Sequence, residues 1–286
     1  MMGRSECPHC HHTLTFWDLF PLLSYLWNRS KCSHCGTNIP LFYPMAELLM
    51  GCIFVIGAYA GIRIGVDPIS GEMLLLLIFI FTTGVYTLYD LRYMEIPDQI
   101  MVPVIYILLA IPFISILFAS YSGYTFHTFH IPTIDRLFGA IILYTFFYLQ
   151  ILIPGGYYLI QRRDWKHFGE LIIGYITFPI MMLIDIWKKP KKEESLDIPT
   201  WIGGGDLRIA LFIGLTLGIV HGIASFAFAY IIGSIVGIGI LLYNILRGKQ
   251  TTSQIPFGPF LSIGWILSIL LYPEIIVLYN ILVTGQ

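Results

Sequence analysis

Long apolar runs separated by short polar breaks dominate this chain. They lie at about 45–62, 73–89, 100–119, 137–160, 171–187, 209–246 and 256–283. Runs of this length predict membrane-spanning helices. The 38 residues from Ile209 to Leu246 would form roughly 57 Å of helix, against a bilayer core of about 30 Å. That run predicts two spans, with the turn near His221-Gly222. Residues 1–43 are the only sizeable polar block before the first run, and neither an internal repeat nor a low-complexity segment stands out.

Composition strengthens this picture. Hydrophobic residues make up 57% of the 286 and charged residues only 12%, where soluble domains carry about 25%. The mean hydropathy is +0.78. A net charge of −1 offers no basic surface for nucleic acid. The opening MMGRSECPHC lacks the apolar core of a cleavable signal peptide.

Lys and Arg collect in cytoplasmic loops and so set the orientation. With residues 1–43 inside and every run except 171–187 spanning, 14 basic residues lie inside and only Arg63 and Arg136 outside. If 171–187 also spans, the count becomes 7 inside and 9 outside, with KKPKK on the exterior. The first arrangement predicts an all-α polytopic membrane protein of about seven transmembrane helices. Segment 171–187, with its Pro179 and Asp185, then lies in the interface, re-enters, or packs on the cytoplasmic side. The expected domains are a cytoplasmic module at 1–43 and a transmembrane domain at 44–286, the latter with a cytoplasmic or interfacial insertion at 161–200.

The module carries CPHC (Cys7, Cys10) and CSHC (Cys32, Cys35), separated by 21 residues. Each C-x2-C pair can turn two sulfurs onto one ion, and four thiolates close a tetrahedral shell, which points to structural zinc. The reducing cytoplasm disfavours disulfides, although redox pairs or unrelated thiols would share the pattern. A block this small gains stability from a metal. His9, His11, His12 and His34 read as surface residues. Cys52, inside an apolar run, reads as a small core residue.

Charges at the ends of spans usually mark function. Asp90 closes the second span in YDLRYMEIPDQI, and Asp206 opens the fifth in WIGGGDLRIALFIG. The preferred topology puts both at the cytoplasmic membrane boundary. Two close carboxylates cannot both ionise, which makes an acid/base pair able to activate water against an amide. Helix ends suggest Asp206 as base, because it stands at an N-terminus, and Asp90 as protonated acid, because it stands at a C-terminus. Plainer readings compete: Asp206 as an ordinary N-cap, Asp90 paired with Arg92, and Asp98 capping the third span. Glu47, just inside the first span, pairs with a cation or lines the site. His127 and His130 read as exterior-loop residues.

Taken in order, the four-cysteine module, PMAELLMG (44–51), DLRYMEIPD (90–98), GGGDLRIALFIG (203–214) and IPFGPFLSIG (255–264) resemble the bacterial type IV prepilin peptidases. That family consists of membrane aspartic proteases with a GxGD motif. The resemblance runs from Cys7 to about Gly264. It implies a multi-pass enzyme of the bacterial inner membrane that cuts the basic leader from prepilins and pseudopilins on the cytoplasmic face. Many members also methylate the new N-terminus with S-adenosylmethionine. By the same resemblance Asp90 and Asp206 are catalytic, Gly203 and Gly205 form the active-site loop, and Cys7, Cys10, Cys32 and Cys35 bind zinc. Glu47 and Asp98 are possible supporting residues, and proteolysis needs no metal. Pilus, type II secretion and competence systems share this enzyme class.

Two features depart from the pattern. Family members usually carry another apolar helix before the cysteines, which would give eight spans and an exterior N-terminus. The stretch 161–200 is also unusually long. A peptidase without methyltransferase activity is the alternative within the family. A zinc-ribbon transporter or scaffold is the alternative outside it.

Overall fold

The structure, a computed structural model, describes residues 5–122, 131–185, 200–248 and 255–284. His127, His130 and the KKPKK stretch lie outside the described residues. A short 3-10 turn, Trp17–Leu19, precedes α1 (Leu23–Trp27). Then come α2 (Phe42–Arg63), α3 (Gly71–Tyr93), α4 (Asp98–Ser122), α5 (Thr133–Gln161), α6 (Trp165–Asp185), α7 (Gly204–Leu246), α8 (Gly258–Leu270) and α9 (Tyr272–Thr284). The chain divides into two compact units, Met1–Ile56 and Gly57–Gln286, with the boundary inside α2.

The N-terminal unit is built from two copies of one turn. Isolated bridges join Glu6 to Thr13 and Lys31 to Asn38. The Cys7 N–H donates to His12 O at 3.0 Å, and the Cys32 N–H donates to Thr37 O at 2.8 Å. In each copy the residue after the second cysteine is left-handed, His11 at φ 54 and Gly36 at φ 72. This local repeat is too short to register as one in the sequence.

The core of the larger unit is the start of α7. Leu207 and every residue from Ile209 to Gly218 are buried, as expected of a helix that is apolar all round. At Gly218 the backbone leaves the helix, with φ 69 and ψ −162. On a straight helix Thr216 and Gly233 would stand roughly 26 Å apart, yet Trp265 and Phe260, five residues apart on α8, lie against them. The element is therefore a helical hairpin, and the long apolar run does divide in two. Its turn comes three residues before the expected His221-Gly222. Backbone of this kind favours glycine, and His221 is instead buried and stacked on Tyr272 with ring centroids 3.9 Å apart. Asp135 of α5 accepts the Ile219 N–H at 3.3 Å and caps the second arm. Alongside that arm, Phe147 packs on Phe226 at 4.7 Å and the Gln150 amide donates to the Tyr230 hydroxyl at 2.8 Å. On the other side Trp265 of α8 donates to Thr216 at 2.9 Å, and Ser268 donates to His221 O at 2.7 Å.

Four helices among the described residues, α2, α3, α5 and α7, are long and apolar enough to cross a membrane. The bent α8–α9 pair makes a fifth if counted as one span. The expected seven counted α4 and both arms of α7 separately. The run at 256–283 is not one straight span either, because α8 and α9 meet at 80°. Pro273 has no N–H for the Ile269 carbonyl, so α8 ends there, and Arg63 donates to the next carbonyl, Leu270 O, at 2.7 Å while pairing with Glu274. Cys52 is exposed rather than in the core, because the outer face of a spanning helix is itself apolar.

Within the described part of segment 171–187, the chain is helical to Asp185. Helix α6 turns back and runs antiparallel along α5, with Phe168 beside Gly156 and Phe178 stacked on Tyr144. Pro179 cannot donate to the carbonyl of Tyr175, and the Tyr144 hydroxyl takes that acceptor at 2.9 Å. The hydroxyls of Tyr148 and Tyr106 likewise donate to Leu171 O and Pro179 O. Tyrosine donors from α4 and α5 thus hold the segment against the bundle.

Candidate active site

Asp90 occupies the last turn of α3, which closes on a left-handed Met94 whose N–H donates to Asp90 O at 2.9 Å. Its side chain is buried, 7% exposed, inside the bundle. Rather than turning to Arg92, Asp90 Oδ2 accepts the Gly258 N–H at 2.8 Å. Gly258 is the first residue of α8, where backbone N–H groups lack helical partners and the dipole favours negative charge. A side chain at 258 would collide with that oxygen, because a Cβ there would lie 2.6 Å from Asp90 Oδ2. IPFGPFLSIG therefore contributes a donor to the site that sequence reasoning left without a role.

Asp206 sits in the first turn of α7, three residues after the N-cap Gly203. Its Oδ2 reaches back to accept the Gly203 N–H at 3.2 Å. The capping role considered from sequence is thus real in part, but it engages only one oxygen. Asp206 is half-buried, and the Asp90 charge acts on it. The two carboxylates come from α3 and α7 to the same end of the bundle, opposite the end where Arg63 caps α8.

The chain after Asp90 also grips the chain around Asp206. A Cβ on Gly205 would lie 2.6 Å from Ile96 Cγ1, so the glycine makes room for Ile96. Asp98 faces Arg208 through two contacts, Oδ1 to Nε at 2.9 Å and Oδ2 to a terminal guanidinium nitrogen at 3.0 Å. Its side chain is therefore a fork partner for Arg208. Arg208 also lies over the Phe178 ring of α6 at 5.4 Å. Ile96 and Asp98 thus fix the residues one before and two after Asp206. Tyr230, on the returning arm of α7, pairs its hydroxyl with the Gln150 amide of α5. Sequence inspection had no signal for Tyr230, because its position depends on where the hairpin turns.

Within the N-terminal unit, Glu47 accepts the Leu22 N–H at 2.8 Å. Cys7, Cys10, Cys32 and Cys35 bring four sulfurs within 4.8 Å of one another. A tetrahedral zinc–thiolate shell, with Zn–S near 2.3 Å, has sulfurs about 3.8 Å apart, so the tetrad fits that ion. The Thr37 hydroxyl beside Cys35 draws its thiol down to about 6. His9, His11 and His34 are exposed, and His12 stacks on His34 with centroids 4.3 Å apart.

Comparison with known proteins agrees with these motifs. Residues 1–60 match the family model described as Bacterial Peptidase A24 N-terminal domain. The chain is 29% identical over 276 residues to the Bacillus subtilis prepilin leader peptidase/N-methyltransferase, covering 96% of this chain and 85% of that protein. Proteins of the same description from Aeromonas salmonicida and Pseudomonas aeruginosa are each 27% identical, over 93% of this chain and 71% of their own length. No solved structure matches the chain. Along nearly its whole length, this chain is similar to the prepilin leader peptidase/N-methyltransferases.

Proposed function

We propose that this protein is a membrane aspartic endopeptidase that removes the leader of prepilins and pseudopilins on the cytoplasmic face. It then methylates the exposed N-terminal amine, with S-adenosylmethionine as co-substrate. The observation that supports the peptidase reading is the placement of Asp90 and Asp206 at the same end of the bundle. In this reading the charged carboxylate takes a proton from water, which attacks the scissile carbonyl. The protonated carboxyl gives its proton to the leaving amine. Dipoles do not separate the two roles as the sequence argument supposed. Asp206 stands in the first turn of α7, and Asp90 stands on the first N–H of α8. We therefore treat them as one pair sharing a proton, titrating together.

Cys7, Cys10, Cys32 and Cys35 would hold one structural zinc that cross-links the two knuckles. Replacing Cys32 by Ser is expected to remove zinc from the purified protein and to expose the N-terminal unit to protease, as metal content and limited digestion would show. The activity test uses purified protein in detergent with a prepilin and S-adenosylmethionine, followed by mass spectrometry of the product. Leader loss with one added methyl group is expected. Leader loss alone supports the peptidase-only alternative, and an unprocessed pilin overturns the reading.

Gly258→Ala gives a sharper test of the site. The new Cβ displaces the Asp90 carboxylate, and a shift of about 1 Å in a catalytic group lowers turnover roughly 10²-fold. The three atoms nearest that Cβ all belong to Asp90, so the change falls on that one side chain. Cleavage is thus expected to fall while thermal stability is kept, as a cleavage assay beside a melting curve would show.

A further inference from the structure

The segment between the two cysteine knuckles has its polarity turned outward. Phe16 is 70% exposed, Trp17 64%, Leu26 68% and Trp27 50%. The rings form one connected cluster, with Phe16–Trp17 centroids at 5.5 Å and Trp17–Trp27 at 6.3 Å. Asp18, the one acidic side chain among them, is turned inward. It accepts the Thr15 N–H at 3.0 Å, the Thr15 hydroxyl at 2.7 Å and the Ser33 hydroxyl at 2.9 Å. A segment that ties up its carboxylate in internal hydrogen bonds and displays its tryptophans is built to face an apolar phase.

The same unit shows which phase. The Leu22 N–H donates to Glu47 Oε2 at 2.8 Å, and Glu47 lies in the second turn of the membrane-crossing helix α2. Leu22 is left-handed, with φ 59, where the chain bends toward that carboxylate. The segment is thereby tied to the entry level of a span. Exposed Leu41, Met45 and Leu48 extend the apolar surface along α2. Tryptophan and phenylalanine at this depth suit the lipid interface. Exposed Arg29 and Lys31 beside them suit anionic headgroups.

We propose that residues 16–27 insert into the headgroup–acyl boundary of the bilayer and seat the cysteine module on the membrane surface. The test uses the full-length protein in vesicles of phosphatidylethanolamine and phosphatidylglycerol. The Trp17→Phe and Trp27→Phe variants, each checked for bound zinc, isolate the two tryptophan signals by difference. Both signals are expected to be quenched by lipids brominated on the upper acyl chain and to be insensitive to aqueous iodide. Quenching by iodide without quenching by the brominated lipid would overturn the proposal. So would iodide protection that appears only when prepilin is added, since that would make the segment a substrate surface.

Discussion

Replacing Asp206 by Asn is expected to lower leader cleavage roughly 10²- to 10⁴-fold, the contribution typical of a positioned general acid or base. The change is isosteric. The asparagine carbonyl can still accept the Gly203 N–H that Asp206 takes at 3.2 Å. The first turn of α7 and the Arg208–Asp98 fork are left in place, so a loss of activity reports on the carboxylate rather than on the fold. Detergent-solubilised variant with unchanged elution and melting temperature, assayed on a prepilin, makes that separation. Turnover within a few-fold of the parent would remove Asp206 from the chemistry.

Gly218→Ala should act on the fold instead. An L side chain at φ 69, ψ −162 is strained by about 1–3 kcal/mol. The added Cβ would also lie 2.1 Å from Asp135 Oδ2, the group that caps Ile219. Losing that cap adds about 1 kcal/mol, and a total near 3 kcal/mol lowers the melting temperature by roughly 6–12 °C. The hairpin whose first arm carries Asp206 loosens with it, so cleavage falls too. Combining Gly218→Ala with Asp135→Ala removes the clash but not the backbone strain. It should recover little of the lost stability, because the cap is lost either way. A melting curve of Gly218→Ala matching the parent would show that the turn lies elsewhere.

Much of this architecture is legible in the amino-acid order. The C-x2-C pairs report the sulfur tetrad because knuckle geometry is local. Excess length reports the hairpin in 209–246, since no bilayer accommodates a straight helix of that run. The aspartates stand out because charge in an apolar setting is rare. What was missed depends on backbone conformation or on distant chain. Gly214, Gly218 and Gly222 look alike in sequence, and only the φ and ψ of Gly218 select it as the turn. Gly258 donates to a carboxylate 168 residues away, and no local pattern announces that. The helix-end argument about Asp90 considered α3 alone and could not include the N-terminus of α8. Asp98 was read as a cap from its place after Pro97, whereas its side chain reaches Arg208 across 110 residues. For 171–187, length, Pro179 and Asp185 left three placements open, and the tyrosine hydroxyls of α4 and α5 that hold α6 against the bundle have no local signal.

The claim that Asp90 and Asp206 work as one pair is tested most directly by a double-mutant cycle on leader cleavage. Asp90→Asn, Asp206→Asn and the double variant are each measured against the parent. If the carboxylates act together, each single change removes nearly all the activity and the double variant is no worse than either single. Losses that multiply, or a single variant that keeps most of its turnover, would contradict the pair.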